Sequence, residues 1–292
     1  MPELPDITVY VEALASRIVG QPIDEIRVST PFLLRTVEPP LSELVGKRVI
    51  GVERLGKRIA IATEDDLFVV IHLMIAGRLH WKARGAKGGR KGLADFLFPN
   101  GCLTLTEAGT KRRASLYVVR GRANLEPHTR GGLEVLDASL DEFATRLRSE
   151  SHTVKRSLTD PRLFSGIGNS FSDEILHRAK LSPVKLTGRL TDDEVSTLYN
   201  ATRDILVEWT DRLRAEASGN FPEKATAFRP EMAVHGKFMQ PCPVCGTPVQ
   251  RIRYADNETN YCPRCQTDGK LLADRALSRL LKGDWPKSID EL

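Results

Sequence analysis

The chain begins Met1-Pro2-Glu3-Leu4-Pro5-Asp6, and its second residue is a potential reagent. With Met1 removed, Pro2 presents a free secondary amine that can attack an electrophilic carbon and form an iminium, as a catalytic lysine does in a Schiff base. A terminal amine titrates near pH 8, so roughly a tenth or more is neutral and nucleophilic at neutral pH. Glu3 beside it supplies a carboxylate able to shuttle protons. Taken alone, the same residues read equally as a stiff lead-in to a helix, with Pro5 near its first turn. A second constellation lies far downstream. Cys242-Pro-Val-Cys245 and Cys262-Pro-Arg-Cys265 are two C-x2-C knuckles separated by 16 residues. Such knuckles on a β-hairpin bring four thiolates to one point, as one tetrahedral Zn2+ requires. With all four positions filled by cysteine no place remains for a catalytic water, so the metal is structural. Two disulfides or a redox pair are the alternatives, and both suit a cytosolic chain poorly. The remaining cysteine, Cys102, reads as a buried small residue. A third feature is the turn Phe164-Ser-Gly-Ile-Gly-Asn169-Ser170. Gly166 and Gly168 let the backbone approach a partner closely, Asn169-Ser170 can cap the next helix, and exposed amides at a helix start form a phosphate site. An ordinary Gly-rich turn would have the same composition.

The elements that must hold these groups are visible as patterns. Residues 5–19 read as an amphipathic helix with Ile7, Val11, Leu14 and Ile18 along one stripe and Gly20 at its end. From 21 to about 125, short β-type runs alternate with Gly, Pro and charge: 23–28, 48–55, 58–63, 67–72, 93–98, 103–106 and 115–119. Strands at this spacing predict a sandwich with the helix at its side. Residues 83–92 read as a loop. Helical segments follow at 139–149, 153–159, 170–179 and 191–215, then a loop over 218–237, the ribbon, and a terminal helix over 270–282. At 292 residues and 41% hydrophobic content the chain has room for several cores. It has no run of membrane-span length and no basic-then-apolar leader, which predicts a cytoplasmic location. Forty-three Lys and Arg against 38 Asp and Glu give +5. The basic residues cluster in the first half: Lys47-Arg48, Arg54, Lys57-Arg58, a run from Lys82 to Lys91, Lys111-Arg112-Arg113, Arg120 and Arg122. That asymmetry predicts a face turned toward a polyanion.

Together these features resemble the formamidopyrimidine-DNA glycosylase and endonuclease VIII family of DNA repair enzymes. Four features match in order: Pro2-Glu3-Leu4-Pro5, Lys57 in the early β region, the helix–two-turn–helix signature Gly166-Ile-Gly-Asn169 through Asp173-Glu174-Ile175-Leu176, and the four-cysteine ribbon. The resemblance implies an α+β multidomain protein in four parts. Residues 1–130 would form a catalytic domain of N-terminal helix plus β-sandwich, and 131–236 a helical helix–two-turn–helix DNA-binding domain. A C-terminal four-cysteine zinc ribbon would follow over 237–266, and an extension over 267–292. It further implies a monomer acting on double-stranded DNA that contains a damaged base or abasic site. The damaged nucleotide is flipped out, because its C1′ is unreachable in a stacked helix. Pro2 would attack C1′ and expel the base, with elimination of one or both flanking phosphates. Glu3 would move protons, and Lys57 would contact phosphate or protonate near the leaving base. Asn169 would hold the DNA backbone. Glu174 and His72 read as structural.

The match has departures. The family's His-Leu-Gly-Met-Ser-Gly run, whose methionine fills the gap left by the flipped base, is here His72-Leu73-Met74-Ile75-Ala76-Gly77. Register puts Ile75 in the wedge slot, with Met74 as the shifted candidate. The family's Asp-Pro-Arg-Arg-Phe-Gly loop corresponds to 108–115, keeping Arg112 and Arg113 as DNA contacts but placing Ala114 where an aromatic stands. The ribbon hairpin offers Asn257 toward the DNA backbone in place of an arginine, leaving Lys237, Arg251 or Arg253 to supply charge. The expectation is a bifunctional glycosylase and abasic-site lyase with an unusual or narrowed set of lesions, oxidised bases in the family's manner. Two rivals stand beside it: a non-catalytic DNA-binding member of the same fold, and a zinc-ribbon module for RNA or protein.

Overall fold

The computed structural model describes residues 1–86, 91–108, 111–223, 225–254, 257–282 and 286–291, without the side chains of 275–277. Part of the 83–92 loop, Gly109-Thr110 and Asp256 lie outside the described residues. The chain divides into two compact units, Met1–Gly131 with Glu208–Thr226, and Gly132–Val207 with Ala227–Leu292. No helix of the described residues is long and apolar enough to cross a membrane.

The first unit opens with α1 (Leu4–Ile18). Leu4, Ile7, Leu14 and Ile18 are all buried, so one stripe of the helix faces the core. Pro5 sits in the first turn, where no N–H is needed. Asp6 Oδ2 accepts the Glu3 N–H at 3.0 Å, satisfying a donor that a helix start otherwise leaves open. Eight strands follow: β1 (Glu25–Val28), β2 (Val49–Leu55), β3 (Arg58–Thr63), β4 (Leu67–His72), β5 (Gly77–Lys82), β6 (Gly92–Phe98), β7 (Gly101–Glu107) and β8 (Ser115–Arg120). They form two antiparallel sheets, ordered β1-β6-β7-β5 and β2-β3-β4-β8.

β3 and β4 are apolar on both faces. Ile59, Ile61, Val69 and Ile71 enter the main core with α1, while Ala60, Phe68 and Val70 pack with Val119 and Leu125 on the other side. Burial on both faces explains the nearly continuous hydrophobic run of these strands. β5 is a strand the sequence pattern does not mark. Its Leu79 is buried while Arg78 and His80 are partly exposed.

After α2 (Glu126–Thr129), the second unit holds α3 (Leu140–Arg148), α4 (Val154–Thr159), α5 (Asn169–Arg178) and most of α6 (Asp192–Ala217). α3 starts on a reciprocal cap, Ser139 N to Glu142 Oε2 at 2.8 Å and Glu142 N to Ser139 Oγ at 3.3 Å. The ribbon hairpin pairs β9 (Gln250–Tyr254) with β10 (Asn257–Tyr261), followed by α7 (Pro263–Thr267).

The end of α6 and residues 218–226 group with the first unit. There Arg214 Nε and Nη2 bind Glu12 at 2.7–3.1 Å, and Phe221 packs 5.7 Å from the Tyr10 ring. The terminal helix is shorter than the sequence pattern predicts. α8 (Arg275–Leu281) starts late because the residues before it are extended. Lys270 bridges Ser288, Leu271 N donates to Lys287 O at 2.9 Å, and Asp274 Oδ2 accepts the Arg253 N–H at 2.9 Å. Asp274 thereby ties the C-terminal extension to the ribbon strand β9.

Candidate active site and metal centre

In the first unit, Pro2 is buried and Glu3 is only 2% exposed at the start of α1. The Met1 amine, the chain terminus in this structure, is held below its usual value, first by burial; Glu3 and Asp6 pull it up, while Arg78 and Lys57 push it down. Lys57 reaches this region from the two-residue turn that closes the β2–β3 hairpin, flanked by the pair Leu55 and Arg58. Gly56 takes the positive φ (61°) that the first position of such a turn demands. Burial pushes the Lys57 ammonium down, with Glu3 acting against it. Two carboxylates and two cations therefore bear on one nitrogen.

The turn after β4 is tightly specified. Gly77 N–H donates to Leu73 O at 2.9 Å. A Cβ at Gly77 would stand 2.2 Å from that same oxygen, so only glycine fits. Met74 adopts φ 54° and is half-buried, while Ile75 stands 57% exposed. Of the two wedge candidates, Ile75 is the one that projects. His72, at the end of β4, is pushed down to about 4 by burial and by Arg58, Lys57 and Arg130.

The loop after β7 is braced from beneath. The buried Glu107 carboxylate accepts Arg113 N–H at 2.9 Å and Ala114 N–H at 3.1 Å. Lys111, Arg112 and Arg113 are exposed. Ala114 is 4% exposed and belongs to the core cluster, so it is an inward-facing anchor at the end of the loop.

In the second unit, the cap expected from Asn169-Ser170 is absent. Gly168 is the extended residue before α5, no side chain caps it, and Asn169 is already helical. The Asn169 amide instead donates to Glu258 O on β10 at 2.9 Å. Beneath it lies a buried polar network that the sequence pattern does not reveal. Lys155 Nζ donates to Asn169 O at 3.1 Å and Ser172 Oγ at 3.0 Å and pairs with Asp173. The other Asp173 oxygen meets His235 Nδ1 at 2.8 Å and accepts Asn260 N–H at 3.2 Å. Glu174 accepts the N–H groups of Ala233, Val234 and His235 at 2.7–3.0 Å, and burial raises its carboxyl above the usual range against those bonds.

Asn257 is exposed opposite Tyr254. Lys237 Nζ donates to Pro230 O at 2.9 Å, and Arg251 is bonded to Glu258 at 3.3 Å and lies 4.2 Å over Phe238. Arg253 is exposed on the same strand.

The four Sγ atoms of Cys242, Cys245, Cys262 and Cys265 lie within 4.8 Å of one another, and none is in a disulfide. Cys245 and Cys262 are 3.4 Å apart, and Cys242 and Cys265 are 3.9 Å apart. A tetrahedral ion with metal–sulfur bonds of about 2.3 Å has sulfur–sulfur edges of about 3.8 Å. The donor set therefore fits zinc. His177 Nε2 from α5 lies 3.2 Å from Cys242 Sγ, where it can orient a metal-bound thiolate.

A β sandwich led by a proline-flanked helix, on one chain with a helical unit closed by a four-thiolate ribbon, defines the zinc-ribbon class of DNA repair glycosylases. Comparison with known proteins agrees. The chain matches the formamidopyrimidine-DNA glycosylase N-terminal domain over residues 1–114, the H2TH domain of that enzyme over 133–215, and the zinc finger found in FPG and IleRS over 240–267. It belongs to the formamidopyrimidine-DNA glycosylase family. An uncharacterized formamidopyrimidine-DNA glycosylase-like protein of Mycobacterium tuberculosis is 40% identical over 152 residues, covering 52% of this chain and 94% of that one. The formamidopyrimidine-DNA glycosylase of Variovorax paradoxus is 32% identical over 272 residues, covering 91% of this chain and all (100%) of its own. The crystal structure of Lactococcus lactis Fpg in complex with DNA containing FAPY-dG superposes with a TM-score of 0.81 at 27% identity, covering 91% of this chain and 100% of that one.

Proposed function

We propose that this protein excises damaged bases from duplex DNA and nicks the strand at the resulting abasic site, with Pro2 as the nucleophile. The observation that carries the reading is the convergence of Glu3, Asp6, Lys57 and Arg78 on a buried chain terminus. After removal of Met1, the Pro2 lone pair attacks C1′ and the glycosidic bond breaks, its electron pair leaving with the base, which takes up a proton. Loss of the amine proton and opening of the C1′–O4′ bond, with a proton delivered to O4′ by Glu3, leave a C1′ iminium. Removal of a C2′ proton then expels the 3′ phosphate, and water releases the enzyme. Lys57 would contact phosphate or donate a proton. One structural zinc would hold the ribbon. Ile75 would fill the stack, with Arg112, Arg113, Asn169, Lys237 and Asn257 as candidate DNA contacts. The protein would work as a monomer in the cytoplasm.

Borohydride trapping on duplex DNA with an abasic site tests the chemistry. The wild-type protein should form a covalent adduct whose peptide map puts the DNA on Pro2, and Glu3→Gln should reduce it by a hundredfold or more, on the order expected for a lost general acid–base. Duplex binding without any wild-type adduct would leave a DNA-binding protein that does not catalyse.

A further inference from the structure

The zinc-finger match ends at residue 267, and the extension beyond it is docked on the ribbon. The ribbon sheet has only two strands, so one edge of β9 has no strand beside it. Asp274, 2% exposed, supplies a partner there: its Oδ2 accepts the Arg253 N–H at 2.9 Å, one residue before β9 ends. Leu272 N–H donates to the Tyr261 hydroxyl at 2.8 Å, and Arg264 of α7 pairs with Asp290. A lone two-stranded hairpin is marginal in water. The cysteines flank the base of this one in sequence, and Asp274 holds it near the far end.

The register separates the two faces of the hairpin. Arg251 and Arg253 share one face with their cross-strand partners Asn260 and Glu258. Asn260 Nδ2 reaches Asp173 at 3.3 Å, so that face looks toward α5, the helix that Asn169 begins. Asn257 stands on the opposite face with Thr259 and Tyr261, where the extension meets the ribbon. Two of the three nearby cations are engaged. Lys237 donates to Pro230 O at 2.9 Å, and Arg251 is bonded to Glu258 at 3.3 Å. Arg253 is exposed, and its guanidinium has no hydrogen bond or ion pair among the described residues.

We propose that the C-terminal extension braces the hairpin through Asp274 and so presents Arg253 to a phosphate of the bound duplex, supplying the charge that Asn257 does not. The assignment rests on the reading of this protein as an enzyme of duplex DNA. Asp274 is a positioning residue, bonded to the Arg253 backbone and not to DNA.

Anisotropy titrations of a duplex carrying a tetrahydrofuran abasic analogue, repeated over a series of salt concentrations, count phosphate contacts. Arg253→Gln should weaken affinity roughly threefold or more and reduce the log–log salt slope by about 0.9, the share of one phosphate. Asp274→Ala should reduce the slope by a similar amount while zinc stays bound. The double variant should lose no more than Arg253→Gln alone, because both changes act on one contact. Asp274→Asn, whose amide oxygen can accept the same N–H, should keep the wild-type slope. A wild-type slope in Arg253→Gln, or additive losses in the double variant, overturns the proposal. If Asp274→Ala sheds its zinc, Asp274→Asn decides, since a reduced slope there overturns the brace. A wild-type protein that does not bind the abasic duplex sinks the DNA reading itself, a different failure from firm binding with an unmoved slope.

Discussion

A histidine at the end of β4 shows how one side chain in this site constrains the whole fold. His72 titrates near 4 against an ordinary 6.5, because burial and the neighbouring Arg58, Lys57 and Arg130 charges disfavour its cation. As pH falls, the unfolded chain therefore binds this proton before the folded one does. The contribution is complete above the ordinary value and is lost between 6.5 and about 4, the window between the two titrations. Its full extent is about 3 kcal/mol. Urea unfolding at neutral and acidic pH should show a steeper acid-side loss for the wild-type protein than for His72→Gln, and equal slopes would contradict the assignment. At this scale, the four cysteines are legible in the sequence because their spacing encodes their convergence, whereas Pro2, Glu3 and Lys57 are singled out only through the family resemblance. The contacts of Arg78 are not legible, because the Gly77 and Ile75 carbonyls it binds come together only once the turn is built. The inward orientation of Ala114 is hidden for a related reason: identity alone does not say which way a loop residue points.

Elements depend on long-range partners that composition hides. α5 carries Asp173 and Glu174, both buried, and their partners lie about sixty to ninety residues onward at 233–235 and Asn260. Nothing in the periodicity of α5 announces this. Most element positions, by contrast, follow from alternation and caps, apart from β5, whose pattern is masked beside a turn. The clustered basic residues also take on a different meaning. Lys47 pairs with Asp65, Arg48 with Glu64, Arg84 with Asp24, Arg120 with Glu43 and Arg122 with Glu53. Much of the cluster is thus locally neutralised, whereas the exposed Lys111-Arg112-Arg113 segment has no ion pair among the described residues. For Glu174 the structure gives a sharp expectation. Glu174→Ala would leave the Ala233, Val234 and His235 N–H groups without their acceptor, and each buried orphan costs about 1–3 kcal/mol. Denaturant unfolding should register a loss of at least about 3 kcal/mol, with duplex binding weakened while Pro2 and its neighbours are untouched. A variant as stable as wild type would mean that the three N–H groups find other acceptors.

For the molecule as a whole, the division into two compact units decides how far a lesion in the metal site can spread. The thiolates are tied to α5 through His177, and α5 is tied to the ribbon through Asp173, Asn260, Asn169 and Glu258. Losing one thiolate removes the ion's closed tetrahedral set, and metal binding energy is folding energy in such ribbons. Disorder should therefore run from the ribbon into α5 and its network. It should stop short of the first unit, whose sandwich core is built from α1, the two sheets and residues within 208–226. Trp81 and Trp209 both belong to that first unit, so in a Trp285→Phe background tryptophan fluorescence reports it selectively. Cys262→Ser, or chelation of the otherwise unaltered chain, should release about one zinc per chain and reduce duplex affinity by tenfold or more, on the order expected when a hairpin that grips phosphate loosens. The main thermal transition seen by tryptophan should stay within a few degrees of the metal-loaded protein, as expected for units that melt separately. A collapse of the tryptophan transition together with the loss of metal would show that the two units fold as one, and the confinement argued here would fail.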